Sequence, residues 1–242
     1  LKKNALKKII FSINKSKADI IFYDYCVKHK NSKKFFTTKS KYINKKIKNI
    51  NLFLTGSIDT SAIFSTYNKS FLEKNKIYFN SGIHEDIFFM FKVFFYLKNK
   101  DYINDYLYIK NNYKKSIINT ISKERIRDYF KSFVEIRKFM ISNYKIQNKR
   151  NFEYKIYKGQ SGYCFEMLIF VIVKVKNKNN AMDLLNYIYN YSRKLFNIDK
   201  LPKNTYKDKV FNYFFKNFKK INKILKYNEF KKYILGIKSN NE

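Results

Sequence analysis

Residues 79–91 have the most distinctive pattern in the chain and read Phe79-Asn-Ser-Gly-Ile-His-Glu-Asp-Ile-Phe-Phe-Met-Phe91. A turn at Gly82 is followed by two adjacent carboxylates, Glu85 and Asp86, and then by apolar residues with helical spacing. Acids are scarce in this chain, with 18 Asp and Glu against 52 Lys and Arg. An acidic pair at this place therefore needs an explanation, and the pattern predicts a helix that begins at Glu85.

Two explanations fit the acidic pair. The N-terminus of a helix stabilises negative charge, so Asp86 would stay ionised and could accept a proton from a substrate hydroxyl. Acids in the first turn are also a common means of offsetting the helix dipole, without any role in chemistry. His84 adjoins the pair and could contact a substrate, or it could be an ordinary loop histidine. The residues alone leave these alternatives open.

Around this stretch, short apolar runs alternate with amphipathic segments. The spacing predicts a first helix that buries one face, formed by Ala5, Leu6, Ile9, Ile10 and Ile13. The lysine-rich segment Lys28–Lys48 is predicted to be a surface loop. The remaining predictions for this part are a strand at Asp19–Cys26, a helix at Asn68–Lys74, a strand at Lys76–Phe79, a helix at Glu85–Lys98 burying Phe88, Phe91, Phe94 and Phe95, and one or two strands in Tyr102–Asn111.

The second half of the sequence reads as helical. Ser122 is a predicted N-cap with Glu124 in the first turn, and the helix that follows is expected to reach Asn143. A turn is predicted at Gly159–Tyr163, and Pro202 marks the clearest break. The expected buried residues of the first of these helices are Ile126, Phe130, Phe133 and Val134, and further helices are predicted at Phe165–Val175, Ala181–Phe196, Lys207–Tyr227 and up to Leu235.

The formal net charge of +34 is the most extreme property of the composition. Such a charge normally indicates a polyanionic partner. Nearly all of it comes from lysine, whereas proteins that read bases or grip phosphates favour arginine. Joint over-use of Lys, Asn, Ile, Phe and Tyr is what an AT-rich genome produces. We therefore expect no specific nucleic acid as a partner, and at most peripheral contact with an anionic membrane.

The cysteines, the histidines and the short apolar runs argue against a disulfide framework, a metal site and a membrane span. Cys26 and Cys164 are too few and too distant in sequence to indicate a disulfide framework or a metal site, so buried thiols in a reducing cytosol are expected. His29 and His84 do not form a ligand cluster. The longest apolar run, Met167–Val173, is far shorter than the ~20 residues of a membrane span. We expect a cytoplasmic protein, peripheral to the inner face of the plasma membrane at most.

Further ordered elements flank the acidic pair. The chain reads Ser61-Ala-Ile-Phe-Ser-Thr-Tyr-Asn-Lys-Ser-Phe-Leu before it and Leu107-Tyr-Ile-Lys-Asn-Asn-Tyr-Lys-Lys-Ser-Ile117 after it. In this order and spacing, the sequence from Ala18 to Met140 resembles the second half of bacterial family 2 glycosyltransferases, which have the GT-A fold. Members of that family carry a Trp-x-Lys-Leu-Tyr-like element, a Glu-Asp pair and then a Leu-Tyr-x-Tyr-Arg-type strand that ends in Ser-Ile.

The resemblance implies roles for individual residues. Asp86 would be the catalytic base of an inverting transfer, and Glu85 beside it would orient the acceptor or the neighbouring backbone. His84, Lys115 and Ser116 would contribute to substrate binding, although Ser116 could equally satisfy the end of a strand. The donor would be a nucleotide sugar, and the acceptor a glycan or a lipid-linked molecule.

The sequence also departs from the family pattern. Ile63 and Ser65 stand where the family has Trp and Lys, and Asn111 and Tyr113 stand where it has Arg. The nucleotide-binding half with its Asp-x-Asp turn, which precedes this region in the family, is matched by no part of the chain. The resemblance therefore implies the carboxy-terminal portion of a longer enzyme, whose divalent cation (Mg²⁺ or Mn²⁺) would have its ligands outside this sequence.

These observations predict an α/β fold, in which a truncated GT-A-like mixed sheet with flanking helices is followed by an α-helical extension. The partial GT-A domain would span residues 1–145 and the extension, of unknown role, residues 146–242. The expected function is glycosyl transfer in the synthesis of a surface polysaccharide, such as capsule or lipooligosaccharide. The alternative is a non-catalytic, lysine-rich protein that binds nucleic acid or an anionic membrane surface with steep salt dependence.

Overall fold

The computed structural model describes residues 1–28, 32–36, 49–54, 61–111, 120–143, 164–195, 206–221 and 224–239. The chain divides into two compact units, residues 1–119 and residues 120–242. The first unit combines a small mixed sheet with helices, and the second contains helices in its described ranges. This arrangement confirms the predicted α/β class with a helical second part. The predicted division at residue 145, with its assigned roles, remains a prediction.

The first unit alternates helices and strands. A 3₁₀ turn at Ala62–Phe64 leads directly into its third strand. In chain order the elements are α1 (Ala5–Ser16), β1 (Ile20–Lys28), β2 (Lys33–Phe36), α2 (Asn49–Leu54), β3 (Ser65–Tyr67), α3 (Lys69–Lys74), α4 (Glu85–Tyr96) and β4 (Lys100–Asn111).

Strand β1 is the centre of the sheet. β4 runs parallel to it on one side, with Phe22 opposite Tyr102. On the other side, β3 pairs antiparallel with the first part of β1, and β2 pairs antiparallel with its last part. Two parallel neighbours need a long crossover connection, and the crossover here contains α2, α3 and α4. The helix that begins with the acidic pair is therefore the last element before β4.

Helices cover β1 on both faces, which explains why it begins with the continuous apolar run Ile-Ile-Phe-Tyr. Tyr23 belongs to a buried cluster with Ala5 and Ile9 of α1. Successive side chains of a strand point to opposite faces. The ring of Phe22 accordingly stacks on Phe94 of α4, with 5.9 Å between the ring centroids. α1 and α4 therefore lie on opposite faces of the sheet.

Aromatic packing fixes the position of α4. The ring of Phe53 in α2 meets Phe91 edge-on at 5.5 Å and Phe94 at 6.1 Å. Full burial of a phenylalanine side chain contributes about 1.5–3 kcal/mol relative to exposure, so this contact stabilises both helices. The buried side chains of α4 are Phe89, Met90, Phe91, Val93 and Phe94.

The described elements of the second unit are helices. Ser122 caps the first of them, because its hydroxyl oxygen accepts the backbone N–H of Arg125 at 3.1 Å. This confirms the predicted N-cap. The helices are α5 (Lys123–Asn143), α6 (residues 164–174), α7 (Lys178–Leu195), α8 (Tyr206–Ile221) and α9 (Ile224–Ser239).

Stacked rings form much of the core of the second unit. Tyr189 of α7 stacks on Phe218 of α8, with 4.2 Å between the centroids. Phe214 of α8 stacks on Phe230 of α9 at 5.7 Å and meets Phe218 edge-on at 5.1 Å. The high phenylalanine and tyrosine content of the sequence is thus used here to join three helices.

The prediction for α1 was partly wrong. Ala5 and Ile9 are buried as expected, but Leu6, Ile10 and Ile13 are exposed. The helix faces the sheet with a narrow stripe that is completed by Ser12, whose hydroxyl donates a hydrogen bond to the Asp101 carboxylate of β4. A polar contact therefore sets the rotation of this helix, and the apolar periodicity did not reveal it.

Two predictions about strands were also wrong. Residues 76–79 form no strand, because Lys76 has a positive φ of 50° and the Ile77 N–H donates to the Leu72 carbonyl at 2.9 Å, which closes the end of α3. The predicted loop Lys28–Lys48 contains β2, a short exposed edge strand.

Smaller differences concern which residues are buried. In α4, Phe89 is buried, whereas Phe88 and Phe95 are half-buried. Val134 of α5 is likewise half-buried, whereas its predicted partners Ile126, Phe130 and Phe133 are buried as expected. The predicted turn at Gly159–Tyr163 and the break at Pro202 lie outside the described residues.

Candidate functional site

The turn before α4 contains two residues with positive φ. Gly82 has φ 110°, a conformation that glycine adopts without steric cost. His84, the N-cap residue, has φ 70° and ψ 34°, which is uncommon for a residue with a side chain. This turn ends the preceding segment and starts the helix at Glu85, as predicted. Glu85 and Asp86 therefore occupy the first turn of α4.

The two carboxylates have different surroundings. Glu85 is exposed, whereas Asp86 and His84 are half-buried. Both acids lie where the first N–H groups of the helix carry partial positive charge and stabilise an anion. A half-buried carboxylate interacts with a neighbouring group more strongly than an exposed one, because water screens it less. Asp86 is therefore better placed than Glu85 to act on a bound molecule.

Tyr67 of β3 lies beside this helix start. Its hydroxyl donates to the Ala62 carbonyl oxygen at 2.8 Å and contacts Sδ of Met90 at 3.0 Å. Burial raises the pKa of Tyr67 above its ordinary value, a hydrogen bond with Ser65 opposes that increase, and the negative charge of Asp86 adds to it. Met90 follows Asp86 by four positions, so Tyr67 packs on the same side of α4 that carries Asp86.

An exposed aromatic surface adjoins the acid. Phe79 stacks on Phe89 of α4 with 4.0 Å between centroids and 8° between planes, and Phe89 meets Tyr67 edge-on at 5.3 Å. Phe79 and Tyr78 are 54% and 59% exposed. Exposed aromatic rings of this kind offer a large apolar face to a ligand, with a polar tip in tyrosine. Phe89 follows Asp86 by three positions, so this aromatic platform and the carboxylate share one side of α4.

Sequence reasoning gave Tyr67 and Phe79 no role in the site. Tyr67 belongs to a strand of three residues, which is too short to show alternation. Its position directly before the helix cap Asn68, within the ordered elements around the acidic pair, was the available signal. Phe79 was assigned to a strand at Lys76–Phe79, and its true place is in an irregular segment whose rings pack on α4.

Lys92 joins α4 to the segment that carries Phe79. Its Nζ donates to the Lys76 carbonyl oxygen at 3.0 Å and lies 5.2 Å from the centroid of the Phe88 ring. Partial burial lowers the pKa of Lys92. This contact links the residues before the turn to the helix after it.

Two predicted binding residues, Lys115 and Ser116, lie outside the described residues, and their roles remain predictions. Ile63 and Ser65, two of the positions that depart from the family pattern, differ in their exposure. Ile63 is exposed, whereas Ser65 is buried, and the Ser65 carbonyl oxygen accepts the Tyr23 hydroxyl at 3.3 Å. Ser65 therefore contributes to the packing of the sheet.

The described ranges contain no group of three His, Cys, Asp or Glu side chains that could hold a metal ion. They therefore supply no ligand set for the divalent cation that the resemblance implies. Cys26 and Cys164 are buried free thiols, and burial raises the pKa of Cys164 despite an opposing contact with Ser192. Among the helices in the described ranges, none has the length and apolar character needed to cross a membrane.

Comparison with known proteins gives a result at the level of structure. No protein-family model and no curated protein matches the sequence. The structure of residues 1–349 of TarS from S. aureus, a GT-A-like glycosyltransferase, is similar over 97% of this chain, with a TM-score of 0.53 and 14% sequence identity.

A TarS structure in complex with UDP-GlcNAc is similar over 89% of this chain, with a TM-score of 0.48 and 13% identity. This chain spans 64% of the length of each TarS structure. At such identity the first of these similarities establishes architecture alone. The chain shares its fold with residues 1–349 of TarS.

Proposed function

We propose that this chain is part of a glycosyltransferase that transfers a sugar from a nucleotide-sugar donor to a glycan or lipid-linked acceptor, with inversion at the anomeric carbon. The proposal assigns it to family 2 and to the synthesis of a bacterial surface polysaccharide, such as capsule or lipooligosaccharide. The observation that carries it is the position of Asp86, a half-buried carboxylate in the first turn of α4, three positions before the Phe89 ring that packs on Tyr67, in a chain with a GT-A-like fold.

The proposed step needs one base. The acceptor hydroxyl oxygen attacks the anomeric carbon, the new carbon–oxygen bond forms as the bond to the donor phosphate breaks, and the electron pair of that bond leaves with the nucleoside diphosphate. Asp86 takes the proton of the acceptor hydroxyl. A positioned general base typically accelerates such a step by about 10² to 10⁴-fold. The helix dipole supports this role, because it stabilises the ionised carboxylate that must accept the proton.

Other residues bind and orient. In this proposal the exposed ring of Phe79 packs against the apolar face of a sugar, and His84 and Glu85 contact the acceptor from the same turn. Lys115 and Ser116 are assigned to substrate binding on the family resemblance. Sugar rings pack well on aromatic faces because both surfaces are flat and largely apolar. The platform would therefore hold the acceptor while the turn orients its reacting hydroxyl.

A divalent cation, Mg²⁺ or Mn²⁺, is included in the proposal for the whole enzyme on the resemblance alone. It would stabilise the leaving diphosphate. No step is assigned to it here, because the described residues offer no ligands for it. We place the reaction in the cytoplasm, at the inner face of the plasma membrane, where a nucleotide-sugar donor and a lipid-linked acceptor would meet.

The test replaces Asp86 in the enzyme that contains this chain. Asp86→Asn keeps the shape of the side chain but cannot accept the proton. We expect kcat to fall at least about 100-fold, with donor binding within about twofold of the unchanged protein. Transfer would be assayed with a panel of nucleotide sugars that begins with UDP-GlcNAc, and donor binding by calorimetry.

Two further variants control this test. Glu73→Gln makes the same change of charge at an exposed position of α3 and should leave transfer unchanged. Glu85→Gln should reduce kcat by about tenfold, because an orienting contact is lost while the base remains. A kcat of Asp86→Asn within about tenfold of that of the unchanged enzyme would show that Asp86 is not the base. The proposed function would then lose its main support.

A further inference from the structure

Helix α1 exposes an unusual amount of apolar surface. Leu6, Ile10, Phe11 and Ile13 are between 44% and 70% exposed, although they occupy only eight consecutive positions. A two-turn cluster of this kind differs from the isolated surface leucines that are normal in proteins, and clustered apolar residues indicate a contact surface.

The orientation of α1 explains why these side chains are uncovered. Ala5, Ile9 and Ser12 face the sheet, and Ser12 fixes that rotation through its bond to Asp101. Ile10 and Phe11 follow directly on Ile9, so the 100° step of a helix directs them away from the sheet. Both remain exposed with every described segment in place.

The same helix is strongly basic. Residues 5–16 contain no Asp or Glu, and Lys3, Lys7 and Lys15 are all exposed. Lys8 forms an ion pair with Asp105 of β4, so its charge is partly balanced. Lys7 lies on the outward surface, close to Ile10 and Phe11 by helical periodicity, and Lys3 is an exposed residue just before the helix. Cations and apolar side chains therefore share one surface.

A groove of about 570 Å³ runs between α1 and β4, and its lining includes Lys7, Phe11, Lys15 and Asp101. The Asp101 carboxylate already accepts hydrogen bonds from the Ser12 hydroxyl and from the Tyr102 N–H. Its negative charge is thus engaged by the protein, whereas the two lysines add positive charge along the groove. The groove can therefore accept an anionic head group beside an apolar chain.

We propose that α1 is the element through which this protein lies on an anionic phospholipid surface. Ile10 and Phe11 insert at the boundary between head groups and acyl chains, flanked by Leu6 and Ile13. Lys3, Lys7 and Lys15 contact lipid phosphates. A short amphipathic helix with lysines beside large apolar residues has the composition of helices that lie in the plane of a membrane interface.

This surface fits a lipid better than a nucleic acid. Sequence-independent nucleic-acid binding depends mainly on phosphate contacts, and it gains nothing from exposed Leu6, Ile10 and Ile13. A bilayer interface uses both components of the surface. The inference does not depend on glycosyl transfer, because vesicle binding is measured without donor or acceptor.

The first experiment uses a tryptophan reporter, since the sequence contains no tryptophan. Phe11→Trp should show a blue shift of its emission on addition of phosphatidylcholine vesicles that contain phosphatidylglycerol. It should show no shift with phosphatidylcholine alone. The matched control is Phe35→Trp on β2, where the native ring is 59% exposed. Its emission should not move with either vesicle.

The second experiment separates specific placement from the overall positive charge. Replacing Lys3, Lys7 and Lys15 by glutamine should weaken binding to the anionic vesicles on the order of 100-fold, about fivefold for each lysine. The control replaces Lys34, Lys74 and Lys98, three exposed lysines outside α1, and should weaken binding by less than about threefold. Ile10→Ser should weaken binding by about tenfold without changing the circular dichroism spectrum.

Four outcomes would overturn the proposal. Equal effects of the two lysine triplets would show attraction by net charge only. An emission of Phe11→Trp that is already blue-shifted without vesicles, and that depends on protein concentration, would show that a second copy covers α1. Release of the protein from the vesicles by double-stranded DNA, with no shift of the Phe11→Trp emission, would assign the surface to nucleic acid. Release of the protein from the vesicles by inorganic phosphate at matched ionic strength would assign the groove to free phosphate.

Discussion

Asp101 connects α1 to β4 through one side chain. Burial disfavours its ionised form, but hydrogen bonds from Ser12, the Tyr102 N–H and Ser16, together with the charge of Lys15, outweigh that effect. The pKa of Asp101 is therefore lowered. Because Ser12 also sets which face of α1 meets the sheet, this contact determines both a local titration and the exposure of Ile10 and Phe11.

A lowered carboxyl pKa makes stability depend on pH in a definite direction. The ionised form stabilises the folded state above the unfolded value of ~3.9, and that contribution is lost as pH falls through the lower folded pKa. Ser12→Ala should move the pKa of Asp101 upward and reduce the unfolding free energy at neutral pH by about 0.5–1.5 kcal/mol. The loss should become smaller as the pH is lowered toward 2, because protonation removes the charge that the Ser12 hydroxyl stabilises.

Urea denaturation at both pH values measures this difference, and NMR titration follows Asp101 itself. Ser142→Ala is the matched control, because Ser142 is an exposed residue whose hydroxyl hydrogen-bonds within α5, donating to backbone carbonyls and accepting the Asn143 side-chain amide. A destabilisation by Ser12→Ala that is identical at pH 7 and pH 2 would show that the hydroxyl acts through packing and that Asp101 is not its partner in stability.

At the scale of elements, the turn before α4 controls where the acidic pair lies. Gly82→Ala should destabilise the protein by about 1–2 kcal/mol, because φ 110° is unfavourable for a residue with a Cβ. It should also lower the transfer rate at least tenfold at a temperature where the variant is fully folded, because Glu85 and Asp86 follow the turn directly. Thermal melting and the transfer assay measure the two effects.

Ser81→Ala changes the neighbouring residue without affecting a positive-φ position, so it serves as the control and should leave both quantities nearly unchanged. Transfer by folded Gly82→Ala at the unchanged rate would mean that the turn does not position the base.

The elements show what periodicity could and could not predict. The sequence predicted β1 and α4 because each contains a long run of apolar residues, most of which are buried in the structure. β2 was missed because its residues Lys33–Phe36 are all exposed, so its ladder bonds to β1 leave no apolar pattern. The rotation of α1 depends on a hydrogen bond between Ser12 and a strand 89 positions away, which no local window contains.

The candidate site was only half predictable for a similar reason. Glu85 and Asp86 stand out because acids are rare in the chain. Tyr67 and Phe79 became part of the site only through packing on Phe89, which folding brings between them. Contacts of this kind depend on tertiary structure, and tyrosine and phenylalanine are too common here to be informative by themselves.

At the scale of the whole molecule, each compact unit has its own core. We expect residues 120–242 to fold when produced alone and to unfold cooperatively, because the rings of α7, α8 and α9 pack within that unit. Phe214→Ala should lower its unfolding free energy by about 3–5 kcal/mol, since Phe214 is fully buried. Circular dichroism during thermal unfolding measures both the cooperativity of the fragment and the loss of stability in Phe214→Ala.

Tyr233→Ala, at a partly exposed ring of α9, is the comparison variant and should lower the unfolding free energy much less than Phe214→Ala does. A broad, non-cooperative transition of the fragment would show that its helices need the first unit in order to pack.

The parallel pairing of β1 with β4 also affects how the chain is made. Residue 28 ends β1 and residue 100 begins β4, so 71 residues must be translated between them. At typical synthesis rates of 5–20 residues per second, this takes about 4–14 s. During that interval the largely buried strand β1 is present without its parallel neighbour. The newborn chain therefore passes through a period of aggregation risk, and cells that produce it at high levels would depend on chaperones at this stage.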